Sequence, residues 1–185
     1  MSDNSFNGLY IQTTLPLEWM PLKEGEHLSV STEVGNQNIL RIVMGLDEGA
    51  YEAVDESAEL NHEIQRLDFK VNIILELVAQ LVSRDTKLPN AVDFKLSADA
   101  LEWICVTSPP ISGQAIQVKI YLDPRFPTPL IFNGNVVSVT HEAERHRVKL
   151  EMEANDELTQ ESLEKYIFRC HRRQIASLKS KKSSE

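Results

Sequence analysis

The spacing of the apolar positions changes along this chain at about Pro89. Between residues 60 and 82 they recur in steps of four and three, at Leu60, Ile64, Leu67, Val71, Ile74, Val78 and Leu81. After Pro89 they alternate with polar residues, which is the period of a strand with one buried face. The chain of 185 residues is therefore predicted to be mainly β with one long helix, in the α+β class.

The helical pattern predicts a coiled-coil helix over residues 57–86. Asp55 to Ser57 supply N-cap candidates, and Pro89 limits any extension. With Ile64 at heptad position a, every a and d position over three heptads is apolar, which favours self-association. Apolar residues at the flanking e and g positions favour a tetramer over a dimer; they are Leu75, Leu77 and Val82. The alternative is a long helix that lies on its own domain.

The region from 87 to 185 is predicted to form a small antiparallel β-barrel followed by a C-terminal helix. Five short segments alternate as strands do and are separated by turn residues; they are 92–97, 101–107, 115–122, 130–139 and 146–153. Gly113 and Gly134 are both predicted to lie in turns. The final helix has a predicted apolar face of Leu163, Tyr166, Ile167, Cys170 and Ile175.

Residues 1–56 form a third predicted region, with a mixed or extended structure. Within it, residues 9–19 and 38–46 resemble short extended or mixed segments. The stretch between them is polar and contains Gly25, Gly35 and Asn36, which favour a break in regular structure.

Charge and composition narrow the function classes. The net charge of −9 argues against a nucleic-acid-binding protein, because binding to phosphates depends on Lys and Arg. The polar N-terminus and the absence of an apolar run of about 18 residues predict a cytoplasmic protein without a membrane span. Cys105 and Cys170 are not arranged as CxxC, so they are predicted to be reduced thiols.

The sequence also predicts no catalytic function and no bound metal or cofactor. The five histidines have no ligand spacing, and the chain contains no HExxH, GxSxG or glycine-rich phosphate loop. Arg172 and Arg173 belong to a basic cluster on the last helix, and guanidinium groups suit phosphate. The alternative for this cluster is a solvated, basic helix end.

Several segments resemble PilZ domains. "FKLSADALEW" is similar to the segment with the (D/N)xSxxG motif, and "LEKYIFRCHRRQ" is similar to the terminal helix. Five segments in order resemble the atypical, tetrameric PilZ family: "LPLEW", "QRLDFKVNIILELVAQL", "KLSADALEW", "YLDPRFPTPL" and "YIFRCHRRQIA". The resemblance implies a PilZ-like barrel with an inserted heptad helix that drives self-association.

The resemblance also implies where cyclic di-GMP would bind, since ordinary PilZ domains hold it with RxxxR and (D/N)xSxxG motifs. The second motif falls on residues 95–100, where Ser97 is kept, Lys95 replaces the Asp or Asn, and Ala100 replaces the Gly. In the first motif, Arg84 is followed four residues later by Leu88. Binding of cyclic di-GMP through the usual site is therefore not expected.

The predicted function is that of a non-enzymatic adaptor linked to cyclic di-GMP signalling, which self-associates through the heptad helix. Two alternatives remain open. One is a cyclic di-GMP receptor that uses relocated basic residues, namely Arg172 and Arg173, with Ser97 and Lys95 as the remaining candidate ligand residues. The other is a nucleic-acid-binding barrel.

Overall fold

The computed structural model describes most of the chain outside the heptad region. The described residues are 8–23, 25, 27–48, 87–106, 108–123, 126–142 and 144–182, together with Leu67, Lys70, Val71, Ile73, Ile74 and Val78. These six positions within the predicted helix 57–86 are helical. The rest of that prediction, including Leu60, Ile64 and Leu81, lies outside the described residues.

Outside the six heptad positions, the described residues form a closed antiparallel barrel of six strands. Two helices accompany the barrel. In chain order the elements are β1 (Ile11–Pro21), α1 (Val30–Glu48), β2 (Ala91–Leu96), β3 (Ala100–Cys105), β4 (Ala115–Ile120), β5 (Leu130–Glu142), β6 (Arg145–Met152) and α2 (Glu157–Lys182). Around the barrel the strands follow the order β1-β2-β3-β6-β5-β4. The predicted barrel, its five strands after Pro89 and the C-terminal helix are confirmed.

The barrel extends beyond the predicted 87–185 region, because β1 closes it. One half of β1 pairs with β2, with Ile11 opposite Leu96, and the other half pairs with β4, with Leu17 opposite Ile120. Both Ile11 and Leu17 are buried. The predicted extended segment 9–19 is thus a barrel strand rather than part of a separate N-terminal region.

The prediction for residues 38–46 was wrong, because they lie in α1. Their β-branched residues favour a strand locally, but the buried side chains follow helical spacing: Asn36, Ile39, Leu40 and Val43. This face rests on the barrel, while the opposite face exposes Val34 and Ile42. Gly35 and Asn36 lie within the helix instead of breaking it.

The two glycines that were predicted to lie in turns have different positions. Gly113 has a φ of +84° in the turn before β4, as predicted. Gly134 lies inside β5, opposite Ile116 on β4 and Met152 on β6, so the turn prediction there was wrong. A Cβ at Gly134 would lie 2.3 Å from the carbonyl oxygen of Glu151. Glycine is therefore required there for the close approach of β6.

Helix α2 is capped by Asp156 and packs through its first half. The Asp156 carboxylate accepts hydrogen bonds from the backbone amides of Leu158 and Thr159, at 3.0 and 3.1 Å, and from the Thr159 hydroxyl. The predicted apolar face is buried at Leu163, Tyr166 and Ile167, but Ile175 is 41% exposed. No described helix is long and apolar enough to span a membrane.

The Asp156 cap should make stability depend on pH. The hydrogen bond from the Thr159 hydroxyl, together with the two backbone amides, lowers the pKa of Asp156 below its ordinary value. Because the folded pKa is depressed, the contribution of the cap is complete above the unfolded pKa of about 3.9 and is lost as the pH falls through the folded pKa.

We expect Asp156→Ala to lower the free energy of unfolding by about 1 kcal/mol at neutral pH. The difference from the unmutated chain should begin to shrink below about pH 4 and disappear as the pH falls through the depressed pKa of Asp156. Urea unfolding at fixed protein concentration and a series of pH values measures this difference. Asp156→Asn retains a neutral capping oxygen and serves as the control. A difference between the unmutated chain and Asp156→Ala that stayed constant down to pH 2 would contradict the expectation.

Candidate functional site

The residues that match the (D/N)xSxxG motif, 95–100, form the end of β2, the turn and the start of β3. Ser97 is 3% exposed and follows directly after β2. Its hydroxyl donates to the Asp99 carboxylate at 2.6 Å and accepts a hydrogen bond from the Ala100 amide at 3.0 Å. The Ser97 amide donates to the carbonyl of Ala100 at 2.9 Å. The polar groups of Ser97 therefore stabilise the turn.

Lys95 belongs to a network of ion pairs on the outside of the barrel. Its ammonium lies 3.1 Å from the Glu102 carboxylate, to which Arg147 also donates at 2.8 Å. Arg147 donates in addition to Glu142 at 2.7 Å. The bond from Arg147 lowers the pKa of Glu142, and the two carboxylates raise the pKa of Arg147. Lys95 thus shares a largely buried carboxylate with a second cation.

Two separate hollows adjoin the motif residues. The larger, of about 500 Å³, lies between the β2–β3 turn and α2 and is lined by Gly8, Leu9, Ser97, Ala98, Asp99, Gln160, Glu164, Ile167 and Phe168. The smaller, of about 150 Å³, is lined by Gln12, Asp93, Phe94, Lys95, Glu102, Trp103, Ile104 and Arg147. Ser97 and Lys95, predicted as ligand residues of one site, therefore line different hollows.

Of the two arginines predicted as ligand residues, Arg172 lies nearer to the larger hollow. Its guanidinium lies 5.8 Å from the ring centroid of Phe168, and Phe168 lines that hollow. Arg173 is exposed, and its guanidinium lies 3.5 Å from the Cys170 sulfur. In the segment compared with the RxxxR motif, the structure describes Leu88 but not Arg84.

Sequence reasoning missed Phe168, Asp99 and Glu164 as residues of this hollow. Phe168 is 52% exposed, although it is a large apolar residue. Its position on the polar side of α2, beside a cluster of arginines, was the available signal. The two carboxylates carry no sequence signal, because acidic residues on a turn and on a helix are common.

The described residues of the heptad region present apolar side chains to solvent. The predicted a and d residues Leu67, Val71, Ile74 and Val78 are 59, 50, 58 and 50% exposed, and Ile73, at position c, is 42% exposed. Apolar side chains that are exposed together on one helix commonly mark an interaction surface. We call Leu67, Val71, Ile74 and Val78 the heptad surface.

The six-stranded antiparallel barrel, the C-terminal helix and the serine-containing turn between β2 and β3 have the layout of the PilZ class of protein. The family model described as "Atypical PilZ domain, cyclic di-GMP receptor" matches residues 39–180. The chain belongs to this family, as its sequence predicted. The match begins inside α1, so it does not include β1.

Two solved structures are similar to this chain, and the first of them has the same fold. A pathogenic protein from Xanthomonas campestris, described as a new tetrameric PilZ domain self-assembled via an unusual helical bundle, is 22% identical, with a TM-score of 0.76 over 92% of each chain. The inhibitor of motility from Bacillus subtilis, MotI (DgrA), is 17% identical, with a TM-score of 0.36 over 46% of this chain and 43% of that one. No curated protein sequence matches the chain.

Proposed function

We propose that the chain is a non-enzymatic, cytoplasmic adaptor in cyclic di-GMP-linked regulation. It assembles into a homo-oligomer through the heptad surface and does not bind the dinucleotide through the usual PilZ site. The observation that carries the proposal is the closed turn at Ser97, where the one retained motif side chain is bonded to Asp99 and Ala100.

The charge of the larger hollow supports the absence of nucleotide binding. Cyclic di-GMP carries two phosphodiester anions, which Arg and Lys side chains would have to neutralise. Here the lining includes the carboxylates of Asp99 and Glu164, and the nearby Lys95 is paired with Glu102. A dinucleotide in this hollow would meet like charges and would compete with the Asp99 carboxylate for the Ser97 hydroxyl.

The exposed heptad surface supports self-association. Burial of an apolar side chain is worth roughly 25 cal/mol per Å² of area removed from water, so side chains that are half exposed in one chain gain from a partner helix. The Xanthomonas campestris protein with the same fold assembles through a helical bundle. A homotetramer, with a bundle of heptad helices at its centre, accounts for both observations.

A second candidate function is a cyclic di-GMP receptor with a relocated site. The observation that favours it is the contact of Arg172 with Phe168 beside the larger hollow. An exposed aromatic ring next to a guanidinium provides a stacking surface for a base together with a cation for phosphate. In this candidate Arg173 would add a second cation.

Calorimetric titration of the full-length chain with cyclic di-GMP tests the adaptor against the receptor. We expect no saturable binding up to about 100 µM ligand, which limits the interaction to less than roughly 5.5 kcal/mol. A PilZ domain with both motifs intact is the positive control. A dissociation constant of a few micromolar or tighter would overturn the adaptor proposal. Loss of that binding in Arg172→Ala/Arg173→Ala, with Lys165→Ala as the matched control, would establish the relocated site.

A further inference from the structure

Two histidines face each other across the hairpin that joins β5 to β6. His141 on β5 is the register partner of His146 on β6. Their Nδ1 atoms lie 3.4 Å apart, and their ring centroids are separated by 4.7 Å at an interplanar angle of 50°. His141 is exposed and His146 half-buried, so solvent reaches the pair. Neither histidine lines either hollow at the motif turn.

The separation of the two nitrogens matches an edge of a tetrahedral metal site. Zn²⁺ binds imidazole nitrogen at about 2.0–2.1 Å, so two ligand nitrogens at the tetrahedral angle lie roughly 3.3 Å apart. Paired strands hold the two Cα atoms in fixed register, which reduces the ordering cost of bringing both rings to one ion. The same separation allows an N–H of one ring to donate a hydrogen bond to the other ring, and a metal ion can take the place of that bridging hydrogen.

The charged side chains beside the pair are both positive and negative. Arg147 follows His146 on β6, and its guanidinium is paired with Glu102 and Glu142. Arg145 lies opposite Glu142 in the hairpin register. No group of three or more potential metal ligands occurs among the residues that the structure describes. The pair therefore offers two protein ligands, and water would complete the coordination of the ion.

We propose that His141 and His146 bind a divalent transition-metal ion through their Nδ1 atoms, and that the bound ion clamps β5 to β6 at the end of the hairpin. The chemical class is that of ions which prefer imidazole, such as Zn²⁺, Ni²⁺ and Cu²⁺, rather than Mg²⁺ or Ca²⁺, which prefer oxygen ligands. The site is independent of the heptad surface and of the motif turn.

Titration of the full-length chain, free of any histidine tag, with ZnCl₂ in a buffer that does not bind metal tests the site. We expect one ion per chain by calorimetry, and a higher midpoint of thermal unfolding when Zn²⁺ is present, because the ion binds the folded state. His141→Asn and His146→Asn should each weaken binding by about tenfold or more. His27→Asn, which changes an exposed histidine outside the pair, should bind as the unmutated chain does.

Three results would overturn the proposed metal site. Absence of Zn²⁺ binding would overturn it, as would affinity that is unchanged in the double variant His141→Asn/His146→Asn. An equal effect of Mg²⁺ on thermal unfolding would show an unspecific cation effect and would also overturn it. Circular dichroism of the double variant should match that of the unmutated chain without metal, because both side chains lie at the hairpin end, outside the buried core.

Discussion

Val71→Asp combined with Val78→Asp should convert the proposed oligomer into monomers. Both valines are helical and 50% exposed in the single chain, and both occupy a positions of the heptad pattern. Inside a bundle of helices each new carboxylate would be buried without a partner, which costs several kcal/mol per group. The charges would also repel their copies across the bundle. Size-exclusion chromatography with light scattering at micromolar concentration measures the molar mass.

Val106→Asp is the matched control for this experiment. Val106 is 63% exposed and follows β3, so the same change is made on the barrel rather than on the heptad surface. We expect this variant to retain the mass of the unmutated chain. The near-ultraviolet spectrum of the buried Trp103 should be the same in all three proteins. A monomeric unmutated chain would disprove self-association, and an unchanged mass in the double variant would disprove assembly through this surface.

Asn36→Leu should produce a large loss of stability within one chain. Asn36 is 1% exposed, and its side-chain amide joins α1 to the backbone of β5. It donates to the carbonyl of Ile131 at 2.8 Å and accepts from the Ile131 amide at 2.9 Å. Leucine of similar size would leave both backbone groups without these partners beneath the helix. We expect the free energy of unfolding to fall by about 3 kcal/mol, from two unsatisfied groups at 1–3 kcal/mol each.

Asn38→Leu, two residues along the same helix, is the control for Asn36→Leu. Its side chain is exposed, so we expect a change within about 0.5 kcal/mol. Urea unfolding must be compared at one protein concentration, because association shifts the apparent stability. Equal midpoints for the two variants would show that the contact with Ile131 does not hold α1 on the barrel.

The sequence predicted those parts of the fold that depend on local periodicity. A period of about two residues, together with β-branched and aromatic residues and intervening turn signals, identified β2 to β6. The contacts of α2 preserve the predicted face at Leu163, Tyr166 and Ile167. The membership of β1 in the barrel could not be derived in this way. Its partners Leu96 and Ile120 are distant in sequence, and a short alternating segment does not specify which strands it joins.

Helix α1 illustrates a different limit of sequence reasoning. Ile39, Leu40 and Val43 have the spacing of a buried helical stripe, but the segment is short and rich in β-branched residues. A polar residue in the stripe, Asn36, removed the remaining helical signal. Its burial makes sense once Ile131 is seen to supply both hydrogen-bond partners. Tertiary contacts therefore outweighed local preference.

In the candidate site, too, some features could be predicted from the sequence and others depend on the fold. The sequence identified Ser97 and the substitutions around it; Ser97 lies in the turn, and the substituted positions Lys95 and Ala100 lie in the strands on either side. It could not show that Lys95 would pair with Glu102, or that Arg147 would share that carboxylate, because these contacts depend on the register of β2, β3 and β6. The separation of Ser97 from Lys95 into two hollows likewise follows from the folded barrel.

The anchoring of α1 and β2 on the barrel has a consequence for how such a chain can diverge. Asn36 on α1 is bonded to Ile131 of β5, and β2 begins at Ala91, so the heptad positions belong to one excursion between two elements that the barrel holds. The entropy of closing such an excursion grows only with the logarithm of its length, and doubling the length costs about 0.6 kcal/mol. Insertions or deletions of whole heptads should therefore change the length of the proposed helical bundle at little cost to the barrel. The length of the heptad segment can therefore change in evolution without a change in the barrel.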